Sequence, residues 1–211
     1  MALLNQIESS EVVLPAIQRD FVWEEEKVEK LLDSIMRGYP IGIVLLWETY
    51  EDIQFRPFIR DFRPGQLHTY RDNVSRKRLK IVLDGQQRLQ SLFIALFGTR
   101  ESKRLYFDVL SGEASDDVAE DRYIFNFLTS EDAKDWNEWA IEQADLREDE
   151  RDPDFPEYQL TVSEIFMMSP SRKKDVVREL TTKLDLSDEQ SVRLDVRGCP
   201  ARRGISAAVP V

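Results

Sequence analysis

Cysteine and histidine are almost missing from these 211 residues: Cys199 and His68 are the sole examples. A lone thiol cannot form an internal disulfide, and one thiol with one imidazole cannot build a cysteine-rich zinc site. No apolar run approaches the roughly 20 residues that cross a bilayer. Met1 to Ser10 lacks the basic-then-apolar pattern of a secretory signal, so a cytoplasmic protein without membrane contact is expected. Neither Gly-x-x-x-x-Gly-Lys-Ser/Thr nor Gly-x-Gly-x-x-Gly occurs. The P-loop and dinucleotide-binding folds are therefore unsupported. There is no internal repeat.

What is present suits a packed chain. Hydrophobic residues make up 42% and charged residues 33%, which argues against disorder. The formal net charge of −11 is unevenly placed. Residues 111–160 carry 17 acidic and 4 basic side chains, whereas residues 1–110 carry 16 of each. Inside that neutral part, Arg56, Arg60, Arg63, Arg71, Arg76, Lys77, Arg78 and Lys80 form a basic run. It reads either as a phosphate-binding patch or as a solvated loop with stray cations. The acidic block reads as a surface that repels DNA, mimics it, or docks a partner.

Hydrophobic period divides the chain further. Pro15 marks residues 11–19 as extended but argues against a central strand there. Val28, Leu31, Leu32, Ile35 and Met36 recur at helical spacing, which predicts a helix from about 24 to 37 with Gly38 as its left-handed cap. Ile43 to Trp47 reads as a short buried strand. Residues 50–78 show no period. Leu79 to Leu83 reads as a second strand, and Gln87 to Phe97 as a helix with Leu89, Leu92, Phe93, Leu96 and Phe97 inward and Gly98 as cap. Strands are expected at Leu105–Val109 and Tyr123–Leu128, around a polar turn at Ser111–Asp121. A helix follows over Asp132–Ala144, with Trp136, Trp139 and Ala140 on one side. Residues 145–157 form an acidic, proline-bearing break. Helices are expected near 161–168, 172–184 and 188–195, with Ser187 and Gln190 as a capping box for the last. The expected class is α+β: an α/β core over residues 1–128, a helical annex over 129–197, and an irregular or truncated tail over 198–211.

The chemistry concentrates at one corner. A strand runs into Asp84-Gly85-Gln86-Gln87-Arg88 and on into a helix. The first N–H groups of a helix lack intrahelical partners and, with the helix dipole, favour an anion such as phosphate. Gly85 permits a backbone shape or closeness that a side chain blocks. Arg88 adds forked donors suited to phosphate oxygens. Asp84 repels phosphate itself, but could hold Mg²⁺, orient a water, or accept from a ribose hydroxyl. The plainer reading is a capped helix, with Asp84 as N-cap and the glutamines solvated. A second cluster, Gln18-Arg19-Asp20-Phe21-Val22-Trp23, precedes the first long helix. Arg19 could stack on Trp23 or Phe21; alternatively one of those rings packs on Val28 as a hydrophobic staple.

Three blocks together resemble the N-terminal domain family of the GmrSD restriction endonucleases (domain-of-unknown-function family 262). They are Pro15 to Trp23 (PAIQRDFVW), Leu32 to Gly42 (LDSIMRGYPIG) and Leu83 to Leu89 (LDGQQRL). The resemblance covers roughly residues 10–110. It implies a ParB/sulfiredoxin-like core, a small mixed sheet with flanking helices. It also implies binding and hydrolysis of nucleoside triphosphates at Asp84, Gly85, Gln86, Gln87 and Arg88, joined by Gln18 and Arg19; Mg²⁺ is the cofactor expected for that chemistry. On this reading Arg88 and the backbone N–H groups hold phosphates, Asp84 organises Mg²⁺ or a water, and Arg19 stabilises the leaving phosphate. Family members often add a His-Asn-His nuclease that acts on modified phage DNA. Here the one histidine, His68, lies upstream of the corner and is expected to be a surface residue. DNA cleavage is therefore assigned to a missing or separate domain, and a homodimer is an open expectation. The alternative is a non-enzymatic nucleotide- or DNA-binding regulator.

Overall fold

In a computed structural model of the protein, the described residues are 2–112, 123–147, 149–152 and 157–187. The chain runs α1 (Ala2–Glu8), β1 (Val12–Pro15), α2 (Glu25–Met36), β2 (Leu45–Thr49), β3 (Gln54–Arg56), β4 (Asp61–Phe62), β5 (Arg71–Asp72), β6 (Leu79–Asp84) and α3 (Gln86–Phe97). It continues with β7 (Thr99–Arg100), β8 (Arg104–Asp108), β9 (Phe125–Leu128), α4 (Ser130–Ala144), β10 (Gln159–Thr161), α5 (Val162–Met167) and α6 (Pro170–Lys183). This is the expected mixed α and β class, a mixed sheet with flanking helices and a helical C-terminal part.

The principal sheet has the order β2-β6-β1-β3-β5. β1 runs parallel to β6 and antiparallel to β3, and β2 pairs antiparallel with β6. The strand alternation of side chains sorts the two faces. Val12, Leu14 and Val82 join the main core, with Val28, Leu31 and Leu32 of α2, Leu89, Phe93 and Ile94 of α3, and the inner residues of β8 and β9. Val13, Phe55, Leu79 and Ile81 form a smaller cluster on the opposite face. A three-stranded antiparallel sheet, β10-β8-β9, and a two-stranded parallel piece, β4-β7, complete the strands.

Several expectations are corrected. β1 is central despite Pro15. Val12 and Val13 pair with β6, whereas Leu14 and Pro15 pair only with β3, so the missing proline N–H falls beyond the β6 ladder. β2 is an edge strand rather than a buried one, with Leu45 and Trp47 51% and 45% exposed. The aperiodic stretch 50–78 contains β3, β4 and β5, strands of two or three residues. Trp136 points away from the core, while Ala133 and Ala140 on the same helix are buried. α1 and β10 were not foreseen. The polar turn at 113–121, the helix at 188–195, Gln190 and the tail lie outside the described residues.

Helix boundaries follow local chemistry. Thr129 and Asp132 make a reciprocal capping box at α4, and Thr161 with Glu164 does the same at α5. Ser169 caps α6, with Pro170 at its first turn. Gly38 takes φ +76 just after α2, the left-handed conformation expected of it. At the end of α3, Gly98 is extended instead, and its need is space: a Cβ there would collide with the carbonyl of Arg60.

Candidate functional site

β6 and α3 meet at Gly85, which is the N-cap of the helix with φ +86 and ψ +10. Asp84 is not the cap, and no side chain caps α3. A left-handed residue here favours glycine. Space demands it as well, since a Cβ would lie 3.1 Å from Val44 Cγ2 and 3.3 Å from the carbonyl oxygen of Ile43. The Asp84 side chain is 65% exposed, with its Oδ2 3.4 Å from Arg88 Nη2.

The glutamines are buried clamps rather than solvated residues. Gln87 donates through Nε2 to the carbonyl of Asp20 at 2.8 Å and accepts the N–H of Val22 at 3.0 Å. Its amide thus acts as a strand partner for residues 20–22. Gln86 Nε2 donates to the carbonyl of Arg19 at 3.1 Å. In return, Gln18 Nε2 donates to the carbonyl of Leu83 at 2.8 Å. The two motif blocks, more than 60 residues apart, are therefore sewn together by side-chain amides.

Between them lies a cavity of about 420 Å³. All of Gln18, Arg19, Asp84, Gly85, Gln86, Gln87 and Arg88 line it, with Trp23 and Leu83. The two arginines thus reach one cavity, but their surroundings differ. Arg19 is exposed. Arg88 donates to the carbonyls of Ile41 and Ile43, the latter at 2.9 Å. Gly42, with φ +86, sits between those carbonyls, where a Cβ would collide with Arg88 Nη1. The turn Ile41-Gly42-Ile43, at the end of the second motif block, thereby delivers two carbonyls to one guanidinium.

The rings of the first block have other partners than Arg19. Phe21 packs edge-on against Phe62 at 5.0 Å, and Lys27 lies 5.4 Å over the Trp23 ring. Half of the basic run is tied into the fold. Arg56 is 2% exposed, Arg60 Nε donates to the carbonyl of Phe97, Arg78 pairs with Glu48, and Lys80 donates to Gln6. Arg63, Arg71, Arg76 and Lys77 are exposed. His68 is not a plain surface residue. Its side chain is 11% exposed, with Nε2 2.7 Å from Asp20 Oδ1. The hydrogen bond from Arg56 holds the Asp20 carboxyl below its usual range, against an opposing effect of burial and with help from His68. Sequence reading placed Arg56 in the basic run and His68 on the surface, and missed their shared contact with Asp20.

The fold and the cavity define a mixed α/β module whose polar site is made by a glycine turn at a helix start and a second segment folded over it. By sequence the chain belongs to the family of GmrSD restriction endonuclease N-terminal domains, whose family model matches residues 2–194. It is also similar to an uncharacterized protein of Methanocaldococcus jannaschii, 36% identical over 95 residues. That stretch is 45% of this chain and 16% of the relative's length. Among the described residues no helix is long and apolar enough to cross a membrane, and no group of three or more His, Cys, Asp or Glu could hold a metal ion.

Proposed function

We propose that this chain is the nucleoside-triphosphate-binding and hydrolysing N-terminal module of a GmrSD-type phage-defence protein, with a ParB/sulfiredoxin-like core. On this proposal nucleotide turnover regulates DNA cleavage performed by another domain or polypeptide. The observation that carries the reading is the cavity at the uncapped start of α3, walled by both motif blocks. Backbone N–H groups at the helix start favour the phosphates. Arg19 supplies an exposed cation beside them, and Arg88 adds its charge from the wall while holding residues 41–43.

Mg²⁺ fits this site in one form. A single exposed carboxylate suits an ion that keeps waters and phosphate oxygens as its other ligands, and does not suit an all-protein cage. Asp84 would hold it. When bound, the ion would neutralise charge on the phosphates.

The test uses wild type and Arg19→Ala with ATP, GTP, CTP and UTP, in the presence of Mg²⁺. Binding is followed with fluorescent analogues and turnover by phosphate release. Arg19→Ala is the clean variant, because its backbone carbonyl rather than its side chain anchors the loop. Affinity is expected to fall at least about tenfold, as for loss of a charge-assisted contact. Binding without turnover would favour the non-enzymatic regulator. A wild type that binds none of the four would overturn the proposal.

A further inference from the structure

We infer that Arg56 and His68, which lie outside every motif block, are positioning residues for the Gln18-Arg19 wall of the cavity; their effect on nucleotide rests on the function proposed above. Arg56 comes from β3. Its Nη1 donates to Asp20 Oδ1 at 2.9 Å, and its Nη2 donates to the carbonyls of Gln18 at 2.9 Å and Arg19 at 2.5 Å. One planar guanidinium thus fixes two successive peptide carbonyls and the carboxylate that follows them. Gln86 holds the Arg19 carbonyl as well. Gln18 and Arg19, whose carbonyls these donors hold, both line the cavity.

His68 completes the arrangement from the loop between β4 and β5. Its Nε2 donates to the same Asp20 oxygen that Arg56 holds. Arg19, Arg56, His68 and Gln86 border one small void of about 10 Å³, so the cluster backs directly onto the site. Stability alone is a poor reason for such a cluster. Arg56 is almost fully buried, and among the described residues its Nε has no hydrogen-bond partner. The cost of desolvating a guanidinium offsets much of what its ion pair contributes. What the cluster supplies is the register of the 18–20 backbone.

The experiment compares His68→Leu, His68→Gln and Arg56→Lys with wild type in the full chain. Glutamine can place an amide nitrogen where Nε2 stands; leucine cannot. Lysine keeps the charge of Arg56 and loses its fork. His68→Leu and Arg56→Lys are expected to bind fluorescent ATP and GTP analogues about tenfold more weakly. His68→Gln should recover to within about threefold of wild type. Hydrogen exchange at amides 18–22 of the unliganded protein gives a readout free of nucleotide. It should quicken in His68→Leu and Arg56→Lys and stay near wild type in His68→Gln. Unchanged exchange in both disruptive variants, or glutamine no better than leucine, would overturn the inference. Altered exchange in a protein that binds no nucleotide would keep the positioning role and sink the proposed function.

Discussion

Asp108 offers a measurable test of how this interior treats charge. It ends β8, is 3% exposed, and its Oδ1 accepts the N–H groups of Leu110 and Tyr158, each at 3.0 Å. Burial pushes its carboxyl up to about 6, although the two backbone bonds favour the charged form. A raised carboxyl pKa means that the native protein keeps a proton the unfolded chain has already released. The resulting stability is fully present below about pH 4, falls as pH rises, and is lost above about pH 6. A rise of roughly two units corresponds to a loss on the order of 3 kcal/mol across that window. Asp108→Asn retains an oxygen for both N–H groups and has no proton to release. A constant offset from the new amide does not matter, because the slope is the readout. Asp20 and Asp132, both held low by hydrogen bonds, titrate in either protein and cancel in the difference. Urea unfolding followed by circular dichroism should show the variant gaining on wild type by about 3 kcal/mol between about pH 4 and pH 7. Parallel stability curves would refute the argument.

Two glycines extend the predictions. Gly98→Ala drives a Cβ into the Arg60 carbonyl, which is backbone and cannot swing aside. Its cost should reach about 3 kcal/mol, seen as a drop of about 6–12 °C in thermal midpoint. Gly42→Ala meets a positive φ and the end of the Arg88 side chain. It should cost about 1–2 kcal/mol in stability, and it should also weaken nucleotide binding as Arg88 leaves the Ile41 carbonyl. Wild-type affinity in Gly42→Ala would show that the 41–43 loop has no part in the site.

Long amphipathic or motif-bearing segments were legible in the sequence. α2 and α3 fall within a residue or so of their expected bounds, because apolar spacing and flanking glycines mark them. The meeting of Gln18 and Arg19 with the Asp84–Arg88 corner was also legible, through the family resemblance rather than through spacing. Short strands were not. β3, β4 and β5 have two or three residues each, too few to show alternation, and their pairing is decided by partners distant in the chain. Nor does composition distinguish a buried Arg56 from the exposed Arg63 seven residues later. The capped-helix reading of Gln86 and Gln87 as solvated rests on their polarity, yet each is buried and bonded to a passing backbone. Asp84 has the chemistry of a cap, but the left-handed Gly85 takes that place.

The seam of amides along α3 has a consequence for how the protein meets its surroundings. Gln87 and Gln90 each both give and receive a hydrogen bond with the neighbouring main chain, and neither carries charge. Counterions that weaken attraction for a polyanion leave such neutral contacts nearly untouched. On the function proposed above, rising ionic strength would loosen the hold on a triphosphate while these amide contacts of α3 persist.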